Sequence, residues 1–256
     1  MGGADFLHDI ARAELQERLI EVNRTFTNVA VVTGHPHLWA DVVPGATILP
    51  DSETLALEPG HFDLVIHAMA LHWANDPVGQ IIQCRRALRP DGLFLAAMFG
   101  GQTLSQLRIA LSEAEVAVSG GLSPRILPMA DVRDMGGLLQ RAGLALPVAD
   151  TLPQNVSYPS LAALAKDLRA MGENNALSQR QRIGMTRALW SKTQETYAAH
   201  FANPGNRLLA TFELIFLAGW APAENQPQPL RPGSAKTRLA DALKVPEGKL
   251  PRGTEN

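Results

Sequence analysis

The chain has 256 residues, of which 46% are apolar, and this predicts one compact globular domain with short appendages. Its 23 basic and 25 acidic residues give a formal charge of -2, so we expect no nucleic-acid partner. The single cysteine, Cys84, cannot form an internal disulfide, which favours a cytoplasmic location. The most apolar run, 208–220, contains Glu213 and is too short for a helix that crosses a bilayer, so no membrane span is expected.

The first hundred or so residues alternate between helical and strand patterns. Helical spacing of apolar residues, prolines and capping residues predicts helices over 6–22, 37–43, 77–88 and 103–118. Continuous apolar runs predict strands over 29–32, 46–49, 62–68 and 93–99. The spacing of Thr103 to Gln106 fits a capping box at the start of the fourth helix.

The second half continues with a helix over 131–141, closed by Gly143. Weaker strand patterns follow at 145–150 and 154–158, then helical patterns at 160–171 and 178–201 and a strong strand at 208–218. We therefore expect a domain over 1–220 with a helical insertion at about 159–201. Residues 221–256 are rich in proline and predict a largely mobile tail with one short helix at 234–243.

Alternating strands and helices predict an α/β fold with a mostly parallel sheet covered by helices on both faces. In such sheets ligands bind at the carboxyl ends of the strands. The turns to search are therefore Thr33–His37, the region of Asp51, Met69–Asp76 and Gly100–Gln102.

Several segments resemble one known family. They are FDLVIHAMALHWAND (62–76), RRALRPDGLFLAAMFGGQTL (85–104), GGLSPR (120–125), DVRDMGGLLQRAG (131–143) and DLRAMGENNAL (167–177). The turn LRPDG is shared widely among the class I S-adenosylmethionine (SAM)-dependent methyltransferases. The LHW, MFGGQTL and MGENNAL runs are similar to one branch of that superfamily, which contains a mitochondrial complex I assembly factor acting as a protein arginine hydroxylase.

The resemblance implies a Rossmann-like sheet with an antiparallel last strand, supplied here by 208–218. It also implies a SAM site, formed by a glycine-rich loop after the first strand and an acid after the second. This chain departs from that loop, because Val32 stands at the position of the usual acid and Pro36 at that of the second glycine. The segment between Gly34 and Asp63 is also short, as though one β-α unit were missing. The expected affinity for SAM is therefore weak or lost.

The resemblance and the turn positions together suggest two sets of site residues. The cofactor set is Thr33, Gly34, Asp51, Ala68 and His72, and the substrate set is Trp73, Arg169, Glu173 and Asn174. Each has a simpler explanation. Gly34 can merely close a turn. Asp51 or Glu53 lies at about the distance expected of the ribose acid, but it matches equally well the acid that, as the resemblance implies, meets the adenine amino group. His72 and Trp73 can pack the following helix, and the polar residues at 169–175 can cap a helix end.

Other reactive side chains have structural explanations. His35, His37, His67 and His72 lack accompanying ligands at metal-binding spacing, so we expect no metal. Asp76 precedes Pro77 as a helix cap, Asp63 supports a turn, and Cys84 lies in an apolar stripe.

Three functions are compatible with these patterns. The leading hypothesis is a SAM-dependent methyltransferase-like protein with a degenerate SAM loop, acting on a protein target in the biogenesis of respiratory NADH dehydrogenase (complex I). The second is a non-catalytic assembly factor that keeps the fold without SAM. The third, implied by the family branch, is a protein arginine hydroxylase. All three require a protein substrate or assembly partner.

Overall fold

The computed structural model describes residues 5–227. The chain divides into two units, Met1–Ala223 and Glu224–Asn256. The helix expected at 234–243 lies outside the described residues, and the domain boundary after residue 220 and the mobile tail stay predictions. None of the helices within 5–227 is long and apolar enough to cross a membrane.

Seven helices and seven strands make up the described part of the chain. The helices are α1 (Phe6–Val22), α2 (Pro36–Trp39), α3 (Pro77–Ala87), α4 (Ser105–Ser119), α5 (Val132–Arg141), α6 (Leu161–Ala170) and α7 (Arg187–Phe201), with a 3-10 turn at Leu71–Trp73. The strands are β1 (Val29–Val32), β2 (Thr47–Leu49), β3 (Phe62–Ala68), β4 (Leu88–Phe99), β5 (Ala145–Tyr158), β6 (Ala202–Asn203) and β7 (Arg207–Trp220).

All seven strands form one sheet in the order β2-β1-β3-β4-β7-β5, with β6 paired to β7. β1, β2, β3 and β4 are parallel, whereas β7 runs antiparallel to both β4 and β5. The expected α/β fold with an antiparallel last strand is confirmed. The chain passes from β2 to β3 through residues 50–61 without a helix or strand, which agrees with the expected shortening by one β-α unit.

Two apolar layers cover the sheet, because successive residues of each buried strand point to opposite faces. α1, α4, α6 and α7 pack on one face, and α3 and α5 pack on the other. Cys84 is fully buried in the second layer. Asp76 accepts a hydrogen bond from the Gly79 amide (2.8 Å), and Asp63 accepts from the amides of Thr27 (2.9 Å) and Asn28 (3.0 Å), so all three structural roles are confirmed.

The expected capping box at Thr103 is wrong. α4 begins at Ser105, and the Thr103 hydroxyl donates to the backbone oxygen of Glu213 (3.2 Å). Gln106 bonds the side chain and the amide of Thr211 instead of the helix start. Both side chains therefore fix α4 to β7, because tertiary partners compete with the local cap.

Two predicted helices are shorter than expected. α2 ends at Trp39, since Arg12 of α1 donates to the Leu38 oxygen (2.8 Å) that a longer helix would use. The helix expected from residue 178 begins only at Arg187, where the Thr186 side chain accepts a hydrogen bond from the Leu189 amide (3.2 Å). Residues 178–186 form an irregular segment on the surface.

The two weak strands at 145–150 and 154–158 are one strand, β5, although it contains Pro147 and Pro153. β5 lies at the end of the sheet and pairs only with β7 among the described strands. An edge strand tolerates proline because one side of its backbone needs no partner. This position explains how the strand continues across both prolines.

Candidate functional site

A cavity of about 560 Å³ lies at the carboxyl end of β4. Its walls come from the 3-10 turn after β3, the end of β4, helix α4, residues 125–129, helix α6 and the loop that follows α6. Most of the lining is apolar, and Phe99, Leu107 and Phe212 are themselves buried. A concave, largely apolar pocket with a few polar groups is typical of ligand-binding sites.

The four residues predicted for the substrate line this cavity. They are Trp73, Arg169, Glu173 and Asn174, and His72 of the predicted cofactor set joins them. The Trp73 indole donates to Glu173 Oε1 at 3.4 Å, and His72 Nε2 lies 3.2 Å from the same oxygen. The fold thus brings together groups that are about a hundred positions apart in the sequence.

The His72 ring has a partner on each of its two nitrogens. Its Nδ1 accepts the backbone N–H of Phe99 at the long distance of 3.5 Å, which leaves Nε2 as the ring donor. Nε2 then donates to Glu173, so the His72 imidazole and the Trp73 indole both bind this carboxylate. The His72 side chain is 2% exposed and that of Glu173 12%, which holds this arrangement away from bulk water.

Glu173 retains capacity for a further partner. Both ring donors bind Oε1, and Oε2 accepts no hydrogen bond from any residue in the described part of the chain. A carboxylate offers about four acceptor positions, so a ligand cation can bind at Oε2. The Glu173 carboxylate, 12% exposed, therefore offers one free oxygen in a mostly apolar lining that also contains Arg169.

Sequence reasoning missed most of the other lining residues. Arg125 lines the cavity although the sequence gives it no binding role, and Asn175, which the sequence groups with Arg169, Glu173 and Asn174 as polar groups that could line a substrate pocket, lines it as well. Asn175 donates to the Pro124 oxygen (2.8 Å), which joins the loop after α6 to the segment before α5. The apolar residues that line the cavity have the same sequence spacing as residues of the hydrophobic core. The sequence pattern therefore does not distinguish lining residues from core residues.

Four predicted cofactor residues, Thr33, Gly34, Asp51 and Ala68, do not line the cavity. They lie at the carboxyl ends of β1, β2 and β3. A Cβ placed on Gly34 would lie 3.3 Å from Asp51 Oδ2, so the Asp51 carboxylate approaches the backbone of the turn after β1. No hydrogen bond joins this carboxylate to another described residue, which leaves it able to bind ligand hydroxyls.

The residues at this turn fit only part of a SAM molecule. Asp51 suits the ribose hydroxyls, but Val32 is fully buried with its side chain in the layer of α3 and α5 and offers the methionine ammonium no charge. Pro36 opens α2 and has no backbone N–H to donate. The adenosine half therefore fits better than the methionine half.

Aromatic side chains fill the space behind this turn. Trp39 is fully buried and donates to His8 Nδ1 at 3.1 Å, and the His8 ring lies 4.6 Å from that of His35, centroid to centroid. Burial, reinforced by His35, lowers the pKa of His8 to about 4. A Cβ placed on Gly172 would lie 3.6 Å from His35 Cε1, so the His35 ring approaches the loop that carries Glu173.

His67 has a structural role. His67 is fully buried, and its Nε2 lies 2.7 Å from Gln80 Oε1. Burial lowers the pKa of His67 to about 4. Within residues 5–227 no group of three or more His, Cys, Asp or Glu side chains has an arrangement that could hold a metal ion.

The chain is similar to known proteins over most of its length. Residues 6–96 match the family model described as a methyltransferase domain. The arginine-hydroxylase NDUFAF5, mitochondrial, of Danio rerio is 32% identical over 272 aligned positions, which cover 96% of this chain and 84% of the relative. The human protein of the same name is 36% identical over 79% of this chain, and the alignment spans 59% of the human protein.

Structural similarity supports the same fold. A proposed methyltransferase from Bacillus halodurans has a TM-score of 0.51 with 14% identity, covering 81% of this chain and 99% of its own. At this identity the likeness concerns the fold alone. The expected cytoplasmic location is contradicted, because the relatives from Danio rerio, human and Dictyostelium discoideum are named as mitochondrial proteins. Cysteine content was too weak an indicator, since it excludes only an internal disulfide.

Proposed function

This chain belongs to the family of the mitochondrial arginine-hydroxylase NDUFAF5, and on that basis we propose that it binds and modifies an arginine side chain of a protein target. The cavity at the end of β4 is the proposed binding site. The target we propose is a subunit or assembly intermediate of respiratory NADH dehydrogenase, which the resemblance to complex I assembly factors implies.

The observation that carries this proposal is the free Oε2 of Glu173. A guanidinium is planar, always charged and suited to a carboxylate, and its aliphatic stem suits apolar walls. Trp73 borders the same cavity and offers a ring for the cation to stack on. A hydrogen bond to a charged group contributes about 1.5 to 3 kcal/mol, which is about ten- to a hundredfold in affinity.

The chemical outcome on arginine follows one of two routes. Hydroxylation, as in the relatives' name, inserts one oxygen atom into a C–H bond and requires dioxygen, two electrons and two protons, with water as the second product. SAM, when bound, supplies a methyl group to a nucleophile instead. Thr33, Gly34 and Asp51 would hold its adenosine half, but because the methionine half lacks its usual partners, we derive no step through it.

A second candidate function is an assembly factor without catalysis. Val32 and Pro36 favour it, because both replace groups that hold the methionine end of SAM in the family. In this alternative the cavity binds the arginine of the partner without changing it. Mass spectrometry of the target, isolated with and without this chain, separates the outcomes as an added oxygen, an added methyl group or no change.

Calorimetric titration with matched peptides tests the binding proposal. One peptide carries arginine and the other carries citrulline, its neutral isostere. We expect arginine to bind at least about tenfold more tightly, and Glu173→Gln to reduce that ratio to about one. Glu195→Gln, an exposed glutamate on α7, is the matched control and should leave the ratio unchanged. Equal binding of both peptides to the unmodified protein would contradict the proposal.

A further inference from the structure

A second cavity, of about 370 Å³, adjoins the first. It lies between the end of α4 and the irregular segment before α7. Its lining includes Ser119, Arg125, Arg182, Ile183, Thr186 and Leu189. Arg125 also lines the first cavity, so its side chain forms the partition between the two spaces.

This partition is fixed in place and carries little net charge. Glu115, with a side chain only 4% exposed, accepts hydrogen bonds from Arg125 Nε (3.0 Å) and Nη2 (2.7 Å). The same Arg125 Nη2 donates to Gln181 Oε1 at 3.2 Å, which attaches the irregular segment to the partition. Arg125 therefore separates the cavities while its charge is balanced by Glu115.

An arginine without an ion-pair partner among the described residues lies on each side of Arg125. Arg169 lines the first cavity and Arg182 the second, and neither forms an ion pair with another described residue. Residues 169–187 contain four arginines (Arg169, Arg180, Arg182, Arg187) and one acid, Glu173, although acids outnumber bases over the whole chain by 25 to 23. The excess of positive charge is thus a local property of this segment, and two of its arginines, Arg169 and Arg182, line the cavities.

The second cavity also has an exposed apolar side chain. Ile183, next to Arg182, is 82% exposed. A lone arginine on a surface loop is usually just solvated, and an isolated exposed apolar residue needs no explanation. Here the two adjoin a concave space that shares Arg125 as a wall with the cavity of Glu173. Recognition of acidic groups of a peptide by arginine side chains is one of the recurring modes of peptide binding.

We propose that the second cavity binds an acidic side chain of the same polypeptide segment whose arginine enters the first cavity, with Arg182 as its partner. This inference rests on the proposed function. An extended chain places neighbouring side chains about 3.3 to 3.6 Å apart per residue along its axis, so residues near the arginine can reach across Arg125. The site therefore selects an arginine with an aspartate or glutamate nearby, rather than arginine alone.

Fluorescence anisotropy with labelled peptides tests the inference. Each peptide has a central arginine in an uncharged background, and a single aspartate is moved through every flanking position. We expect one position, or two adjacent ones, to raise affinity about three- to fivefold over the peptide without aspartate, and Arg182→Glu to abolish that gain. Lysine at the preferred position should restore tight binding to Arg182→Glu.

Arg133→Glu is the matched control, because Arg133 is an exposed residue of α5 on the opposite face of the sheet. It should leave the positional preference unchanged. Affinity that is independent of the aspartate position, with the arginine-to-citrulline ratio intact, would overturn this inference and spare the proposed function. Failure of arginine and citrulline peptides to differ would instead overturn the proposed function, and this inference with it.

Discussion

Two regions at the same edge of the sheet differ in how much open space they leave. The turn after β1 is backed by fully buried Trp39 and its hydrogen bond to His8, so aromatic side chains of the chain itself fill that region. The turns after β3 and β4 instead border an open cavity of about 560 Å³. The open space at this edge thus includes the cavity lined by α4, α6 and the loop after α6.

The largest expected difference between the two regions is in the loss of stability when one tryptophan of each is replaced by alanine. Trp39→Ala leaves a cavity in a closed core and should lower the free energy of unfolding by about 3 to 5 kcal/mol. Trp73 already borders the open cavity, so Trp73→Ala should lower the free energy of unfolding by only about 1 kcal/mol. The same substitution should weaken the binding of arginine peptides. Chemical denaturation measures both stabilities. Equal losses for the two variants would contradict the difference between the regions.

Acidification should lower the stability of the folded domain. His8 and His67 have pKa values lowered to about 4 by burial, so the folded state binds fewer protons than the unfolded state below pH 6.5. Their contribution is complete above about pH 6.5 and is lost as the pH falls towards 4. Each histidine should account for about 2 kcal/mol of stability lost between pH 7 and pH 5.

Urea denaturation of His8→Gln and His67→Gln at both pH values measures this effect. Each variant should lose about 2 kcal/mol less on acidification than the unmodified protein, whatever its stability at pH 7. An unchanged pH dependence in both variants would show that these imidazoles are protonated in the folded state.

The smallest expected effect is a change in ligand affinity at the turn after β1. If only the adenosine half of SAM is held, adenosine and SAM should bind with similar affinity, and Asp51→Asn should weaken both about tenfold. Glu53→Gln is the control, because Glu53 is already bonded to Asn75 (2.6 Å). Calorimetry that finds SAM at least about tenfold tighter than adenosine would show that the methionine half is held as well.

Much of the fold could be predicted from the sequence where burial is continuous. β1 and β3 have the predicted bounds of 29–32 and 62–68, because strands buried on both faces appear as unbroken apolar runs. The errors fall where tertiary contacts override local pattern. Arg12 shortens α2, Thr103 and Gln106 bind β7, and Thr186 delays the start of α7.

The site was only partly predictable. Family resemblance suggested Trp73, Glu173 and two of their neighbours, and the fold brings these into one cavity, although their binding role stays a proposal. The second cavity could not be predicted from the sequence. It forms where Arg125 contacts an irregular segment for which the sequence predicts a helix. Contacts between distant segments are not encoded in local periodicity.

The prolines of β5 have a consequence for self-association. A long strand at the end of a sheet offers free amides and carbonyls on which strands of other molecules can build. Pro147 and Pro153 remove two amide donors from this strand, which interrupts any ladder that would extend from it. The two prolines thereby disfavour edge-to-edge aggregation at this end of the sheet.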